Sequence, residues 1–196
     1  MRSEFQKIDL RKIYNHKVFY EKVPTAGEYG LDNTCFLLCE NSFLKQSIQV
    51  NDVPFYLNLH DFDNVQCEKQ AVDMATNFRK VHYLGFFYWG ENFESIRLLS
   101  KDGKILEHKI CYPDWTKIVQ GAPTEIQKEY GYSNLKPGFT LTSAGKEKRP
   151  LKFFHYTVDL GKEYEIEKAI LPDNFFLHIF AITAERTVGI CKEITS

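Results

Sequence analysis

The chain is 196 residues long and carries 25 Lys and Arg against 26 Asp and Glu, a formal net charge of -1. That length fits one domain with insertions better than two complete ones, and the near-zero charge offers no global field to a polyanion, which argues against a dedicated nucleic-acid binder. With 16 Phe, 11 Tyr and 2 Trp against only 11 Gly and 7 Pro, the composition excludes disorder and collagen-like structure.

The first 17 residues contain no apolar h-region, and no later apolar run approaches the length of a spanning helix. The sequence therefore predicts a soluble, cytoplasmic protein with no membrane partner. Its five cysteines, Cys35, Cys39, Cys67, Cys111 and Cys191, are odd in number and include no CxxC pair. Neither a disulfide framework nor a zinc knuckle is indicated, and buried reduced thiols are expected. Cys35 and Cys39 would stand roughly 13 Å apart on a strand, too far to share a metal, although a helix would make them neighbours.

In chain order, short runs rich in Val, Ile, Phe, Tyr and Thr and bounded by turn residues predict strands at 17–23, 34–40, 54–59, 79–89, 95–100, 104–110, 151–160, 167–171 and 176–183. Nine such strands suggest an all-β sandwich. Asp102-Gly103 supplies the positive-φ residues of a tight hairpin, and Leu171-Pro172-Asp173-Asn174 reads as a second turn. The segment 116–150 collects Gly121, Pro123, Gly131, Pro137, Gly138 and Gly145 with the charge run Lys146 to Arg149. It reads as one long insertion carrying a short helix at 123–130 in a single domain whose core spans about 15–186. A connection of that length is a place to expect a lid or a partner contact.

Several phrases resemble a known family when taken in order. Val50-Asn51-Asp52-Val53-Pro54-Phe55, then Asp63-Asn64-Val65-Gln66-Cys67-Glu68-Lys69-Gln70, then Val81-His82-Tyr83-Leu84-Gly85 follow one another. They resemble the "VNGVPF", "DNV.C.GQ" and "LHLLG" phrases of the galactose-binding-like jelly-roll domain that accompanies bacterial glycoside hydrolases and lies inside some large α-mannosidases. Asp102-Gly103 followed by Asp114-Trp115 is similar to the family's "Y.DG…DW", and Leu171 to Asn174 with His178 to Thr183 looks like its closing "LPDN…IHIFAIT" pair. The resemblance implies a jelly-roll sandwich and a carbohydrate or glycoconjugate as partner. This chain carries Lys69 where the family phrase has Gly, and Gly30-Leu31-Asp32-Asn33 where the family has an Asn-Asp-Gly turn.

Sugars are recognised by an aromatic ring beneath their apolar face and by amide or carboxylate groups on their hydroxyls. Tyr88-Trp89-Gly90-Glu91-Asn92-Phe93 places a ring platform, Trp89, beside Glu91 and Asn92 at the end of a long apolar strand. Trp115 beside Asp114 is a second such pair, and His60 lies in a polar loop with Asp61 and Asp63. Asp61 and Asp63 have the alternating spacing that opens a calcium loop, but the sixth and twelfth places hold Gln66 and Val72 rather than Gly and Glu. A structural Ca²⁺ of another geometry is the only cofactor the sequence leaves open. His82 and His178 lie inside strands and read as sheet-face or core residues. The motifs of serine hydrolases, zinc proteases, P-loops and dinucleotide-binding folds are absent. The leading expectation is a non-catalytic carbohydrate-binding sandwich. The alternatives are a homo-oligomerisation or interaction module and, less favoured, a small glycoside-modifying enzyme with two convergent carboxylates.

Overall fold

The computed structural model describes residues 2–25, 34–90, 92–114, 134–144 and 148–188. At its centre runs β7 (Ala71–Phe87), whose last seven residues are all buried. A strand covered on both faces reads as a continuous apolar run, and Val81-His82-Tyr83-Leu84-Gly85-Phe86-Phe87 has that character rather than alternation. It is flanked by two other long strands, β11 (Pro150–Ile170) and β12 (Asp173–Val188), both antiparallel to it. Beyond β12 lies β1 (Arg2–Ile8), and beyond β11 lie β8 (Asn92–Ser100) and β9 (Ile105–Tyr112). Two further strands join this sheet: β6 (Val65–Glu68) on β12 and β10 (Leu135–Thr142) on β11. Two small ribbons complete the described strands, the parallel pair β2 (Phe19–Tyr20) and β3 (Phe36–Leu37) and the hairpin β4 (Ser47–Val50) and β5 (Val53–Tyr56).

The long strands bend where their register slips, between Asp159 and Tyr164 in β11 and between Ile179 and Ala181 in β12. Bending brings the exit of β9 back onto β7. Phe87 and Asp114 form a parallel bridge, and the Tyr112 hydroxyl donates to the Tyr83 carbonyl at 3.2 Å. One face of β7, with Tyr83 and Phe87, is therefore covered by the same sheet rolled over. The other face meets the two ribbons: Phe19 and Phe36 pack with Phe153, which lies 4.7 Å from Phe180 and 5.1 Å from Phe86 by ring centroid. Each buried Phe contributes roughly 1.5–3 kcal/mol by transfer from water, so this cluster is a main source of the sandwich's cohesion. Gly85 allows β7 and β12 to come this close, since a Cβ there would sit 2.3 Å from the His178 carbonyl oxygen.

The all-β sandwich expected from the sequence is the fold observed. Several boundaries differ. The strands expected at 151–160 and 167–171 are one bent strand, and the strand expected at 34–40 ends at Leu37, after which the chain turns and leaves Cys39 exposed. β1, which the 15–186 core left out, is an edge strand pairing β12 along its whole length. Within 116–150, residues 135–142 are not a loop but β10, which is hydrogen-bonded to β11. The helix expected at 123–130 lies outside the described residues. In the hairpin at Asp102-Gly103 only Gly103 takes a positive φ, +81°, and the Ser100 amide donates to the Lys104 carbonyl, so the turn is a three-residue loop with a glycine bulge. Among the described residues no helix is long and apolar enough to cross a membrane.

Candidate functional site

β7 ends at Phe87, and the chain bends through Tyr88, Trp89 and Gly90 before β8 begins. Gly90 permits the bend with φ +78°, and two hydrogen bonds hold it: the Gly90 amide donates to Asp114 Oδ2 at 2.8 Å, and the Tyr88 amide donates to the Phe176 carbonyl at 2.9 Å. The Trp89 side chain is left 72% exposed, edge-on to Phe176 with centroids 5.9 Å apart. Phe175, also exposed, lies 4.0 Å from Phe176. Beneath them Asn174 accepts from the Phe176 amide at 3.0 Å and donates to Glu94 Oε1 at 2.5 Å, and Gln66 donates to the Phe175 carbonyl at 3.0 Å. The result is a fixed aromatic platform, built by the exit of β7, the exit of β9 and the entry of β12.

The other candidates are placed differently. Asp114 is buried and points its carboxylate at Gly90, so it holds the Trp89 bend instead of facing a ligand. Asn92 opens β8. Glu91 and Trp115 lie outside the described residues. His60 and Asp61 stand away from the platform's strands. They line a separate cleft of about 340 Å³ with Lys17, Tyr20, Glu21 and Lys22.

Asp63 has no exposed surface, unlike the exposed Asp61. Its Oδ2 accepts the amides of Val18 and Phe19 at 2.9 and 2.8 Å, and its Oδ1 accepts from Asn64 Nδ2 at 2.7 Å. Burial pushes this carboxyl up to about 7, against the pull of those three donors. Its oxygens thus knit β2 to the segment before β6, a structural task that alternating Asp spacing did not reveal. Among the described residues no group of three or more His, Cys, Asp or Glu converges as a metal set.

A second constellation, on the ribbon side of the sheet, has no signature in the sequence. His82 Nε2 is 3.0 Å from Glu185 Oε2, and the other Glu185 oxygen accepts from Ser3 Oγ at 2.6 Å. His82 Nδ1 is 3.0 Å from both Thr157 Oγ1 and His155 Nε2, which are themselves 3.1 Å apart. Asn51 Nδ2 reaches His155 Nδ1 at 3.4 Å and donates to the Pro137 carbonyl at 3.0 Å. Burial lowers both histidines, His82 partly opposed by Glu185, and His155 down to about 3. Burial raises Glu185, but hydrogen bonds from Ser3 and His82 and the charge of Lys80 outweigh it and hold the carboxyl low. The group is a neutral imidazole pair beside an ionised carboxylate. His82 and Thr157 are direct cross-strand partners, a relation visible only once β7 and β11 are in register.

No protein-family model matches this chain, and no curated protein matches it.

Proposed function

We propose that this chain is a carbohydrate-binding sandwich of galactose-binding-like, jelly-roll type that takes a sugar on the platform of Trp89, Phe175 and Phe176. The observation that carries the reading is the 72% exposure of Trp89 on a bend held by Asp114 and the Phe176 carbonyl. A large ring held in water by a rigid frame suits the apolar face of a pyranose, and Asn174 and Glu94 beside it supply amide and carboxylate chemistry for hydroxyls.

The family relation draws support from the backbone at two departures. Asp52 stands where "VNGVPF" has Gly, and Lys69 where "C.GQ" has Gly. Both residues are left-handed, with φ of 65° and 63°. That region is the one in which glycine is the unstrained choice, so these turns keep a glycine-type shape without the glycine. An interaction module remains the competing reading, since exposed rings also serve protein contacts.

Titration calorimetry of the chain with galactose, mannose and lactose tests the proposal. Binding is expected for at least one of them, and Trp89→Ala is expected to weaken it at least about tenfold, roughly 1.4 kcal/mol. The melting temperature of that variant should stay unchanged because the ring is mostly in water. Absence of heat with every sugar, or equal affinity in the variant, overturns the sugar reading.

A further inference from the structure

β9 ends the path of its sheet, and among the described residues no strand pairs with its outer edge. It keeps register with β8 from Ile105 to Tyr112 without a bulge and contains no proline, so charge alone guards that edge. The direction of its backbone follows from the hairpin. The Ser100 amide donates to the Lys104 carbonyl, so Leu106, His108 and Ile110 turn their amides and carbonyls toward β8, while Ile105, Glu107 and Lys109 turn theirs outward. The side chains follow the same alternation: Leu106, His108 and Ile110 are covered, and Ile105, Glu107 and Lys109 are exposed. Neither Glu107 nor Lys109 has an ion-pair partner among the described residues.

We propose that β9 pairs antiparallel with β9 of a second copy of this chain, about a two-fold axis at His108, so that one sheet continues through a homodimer. Charge selects both the occupant and the register. Centred on Glu107 the pairing would set Glu107 against itself, and centred on Lys109 it would set Lys109 against itself, like charges directly opposite. Centred on His108, Glu107 meets Lys109 of the second copy and Lys109 meets its Glu107, each pair exchanging outward backbone hydrogen bonds. Arg97 lies opposite Glu107 on β8, so the exposed row alternates in sign from Arg97 through Glu107 to Lys109 of the second copy. On the covered side Leu106 meets Ile110. His108 Nδ1 is buried without a hydrogen-bond partner in the single chain, and this register sets a second imidazole opposite it. The Tyr83 hydroxyl, 3.0 Å from His108 Nε2, can donate or accept, so the two copies can hold opposite tautomers and share one N–H···N bond. The contact lies on a different strand from the aromatic platform and does not depend on the sugar reading.

Sedimentation velocity of the whole chain from roughly 1 to 200 μM tests the proposal, a range suited to a short strand pairing. A concentration-dependent dimer is expected. Glu107→Lys and Lys109→Glu each set like charges opposite one another and should weaken dimerisation at least about tenfold. Mixed in equal amounts, the two variants complement each other and should form a heterodimer at concentrations where each alone stays monomeric. Lys109 stands opposite Ser95 within its own chain, so Lys109→Glu reads the contact even if Glu107→Lys, beside Arg97, loses stability. A monomer across the whole range, or a mixture no more dimeric than either variant alone, overturns the proposal. Dimerisation that survives both charge variants and is lost in Trp89→Ala also overturns it, and assigns the contact to the exposed rings.

Discussion

A carboxylate without exposed surface needs a donor for each oxygen, and Asp63 has three: two backbone amides on Oδ2 and the Asn64 amide on Oδ1. Asn64 in turn accepts from His178 Nδ1 at 2.8 Å, which fixes that imidazole's proton. Asp63→Asn would set one amide NH₂ against another, and about 1–3 kcal/mol of stability should be lost in denaturant titration. Exchanging the pair, Asp63→Asn with Asn64→Asp, restores an acceptor opposite the new amide and keeps one for His178 Nδ1. It also sets a carboxylate oxygen against the His16 carbonyl that Asn64 Nδ2 bonds at 3.3 Å, so it should recover part of that loss. If the double variant is as unstable as the single one, the hydrogen-bond reading is wrong. The Asp-x-Asp spacing was legible in the sequence, but whether each side chain turns outward is set by neighbours 40 or more residues away. The exposure of Trp89 was legible as a candidate for the same reason that Asp114 misled: both flank a turn, and only packing decides which faces water.

At the scale of elements, strands of alternating or continuous apolar character were legible: β8 and β9 begin and end within three residues of expectation, while β12 contains the expected 176–183 but runs from Asp173 to Val188. β1 and β10 were not, because Arg2–Ile8 has no clean period of two and Leu135–Thr142 carries a Pro and a Gly. Both are strands by virtue of the partner that hydrogen-bonds them, β12 and β11. The β4–β5 hairpin closes on Asn51 and Asp52, both left-handed, the geometry of a two-residue type I′ turn in which Asn-Gly is the favoured pair. Asp52→Gly removes a left-handed cost of roughly 1–2 kcal/mol and adds an entropic cost of roughly 0.5–1. A net gain of up to about 1.5 kcal/mol, seen as a raised melting temperature, is the expected outcome, and a lowered one contradicts it. Lys69→Gly should gain less, since Lys69 also pairs with Asp173 at 2.5 Å.

For the whole molecule, histidines inside the rolled sheet link the fold to acidity. Burial lowers His108 to about 4, beside the Tyr83 hydroxyl at 3.0 Å, and lowers His82 and His155 as well. A histidine near 6.5 in the unfolded chain and lower in the folded one takes up its proton on unfolding. Its stabilisation is therefore complete above pH 6.5, declines as pH falls, and is gone below the folded value. For His108 the span from 6.5 to about 4 corresponds to something on the order of 3 kcal/mol. Asp63, raised to about 7, acts in the opposite direction between about 4 and 7 and offsets part of it. The melting temperature should fall from pH 6.5 to 4, and His108→Gln, which cannot titrate but can still bond Tyr83, should flatten that fall. An identical pH dependence in the variant would remove His108 from the account.

The sequence by itself determined what nearest neighbours determine: an all-β chain, the glycine-bearing hairpin at 103, the Pro172 turn and an aromatic core. Those depend on side-chain alternation and on φ preferences, which act within a few residues. Only the tertiary structure decided that Ser3, His82, Thr157 and Glu185 share one hydrogen-bonded line, or that Trp89 stands beside Phe176. Each of those meetings depends on the register of paired strands far apart in the chain, and a one-residue slip in any pairing would send the side chains to the opposite face.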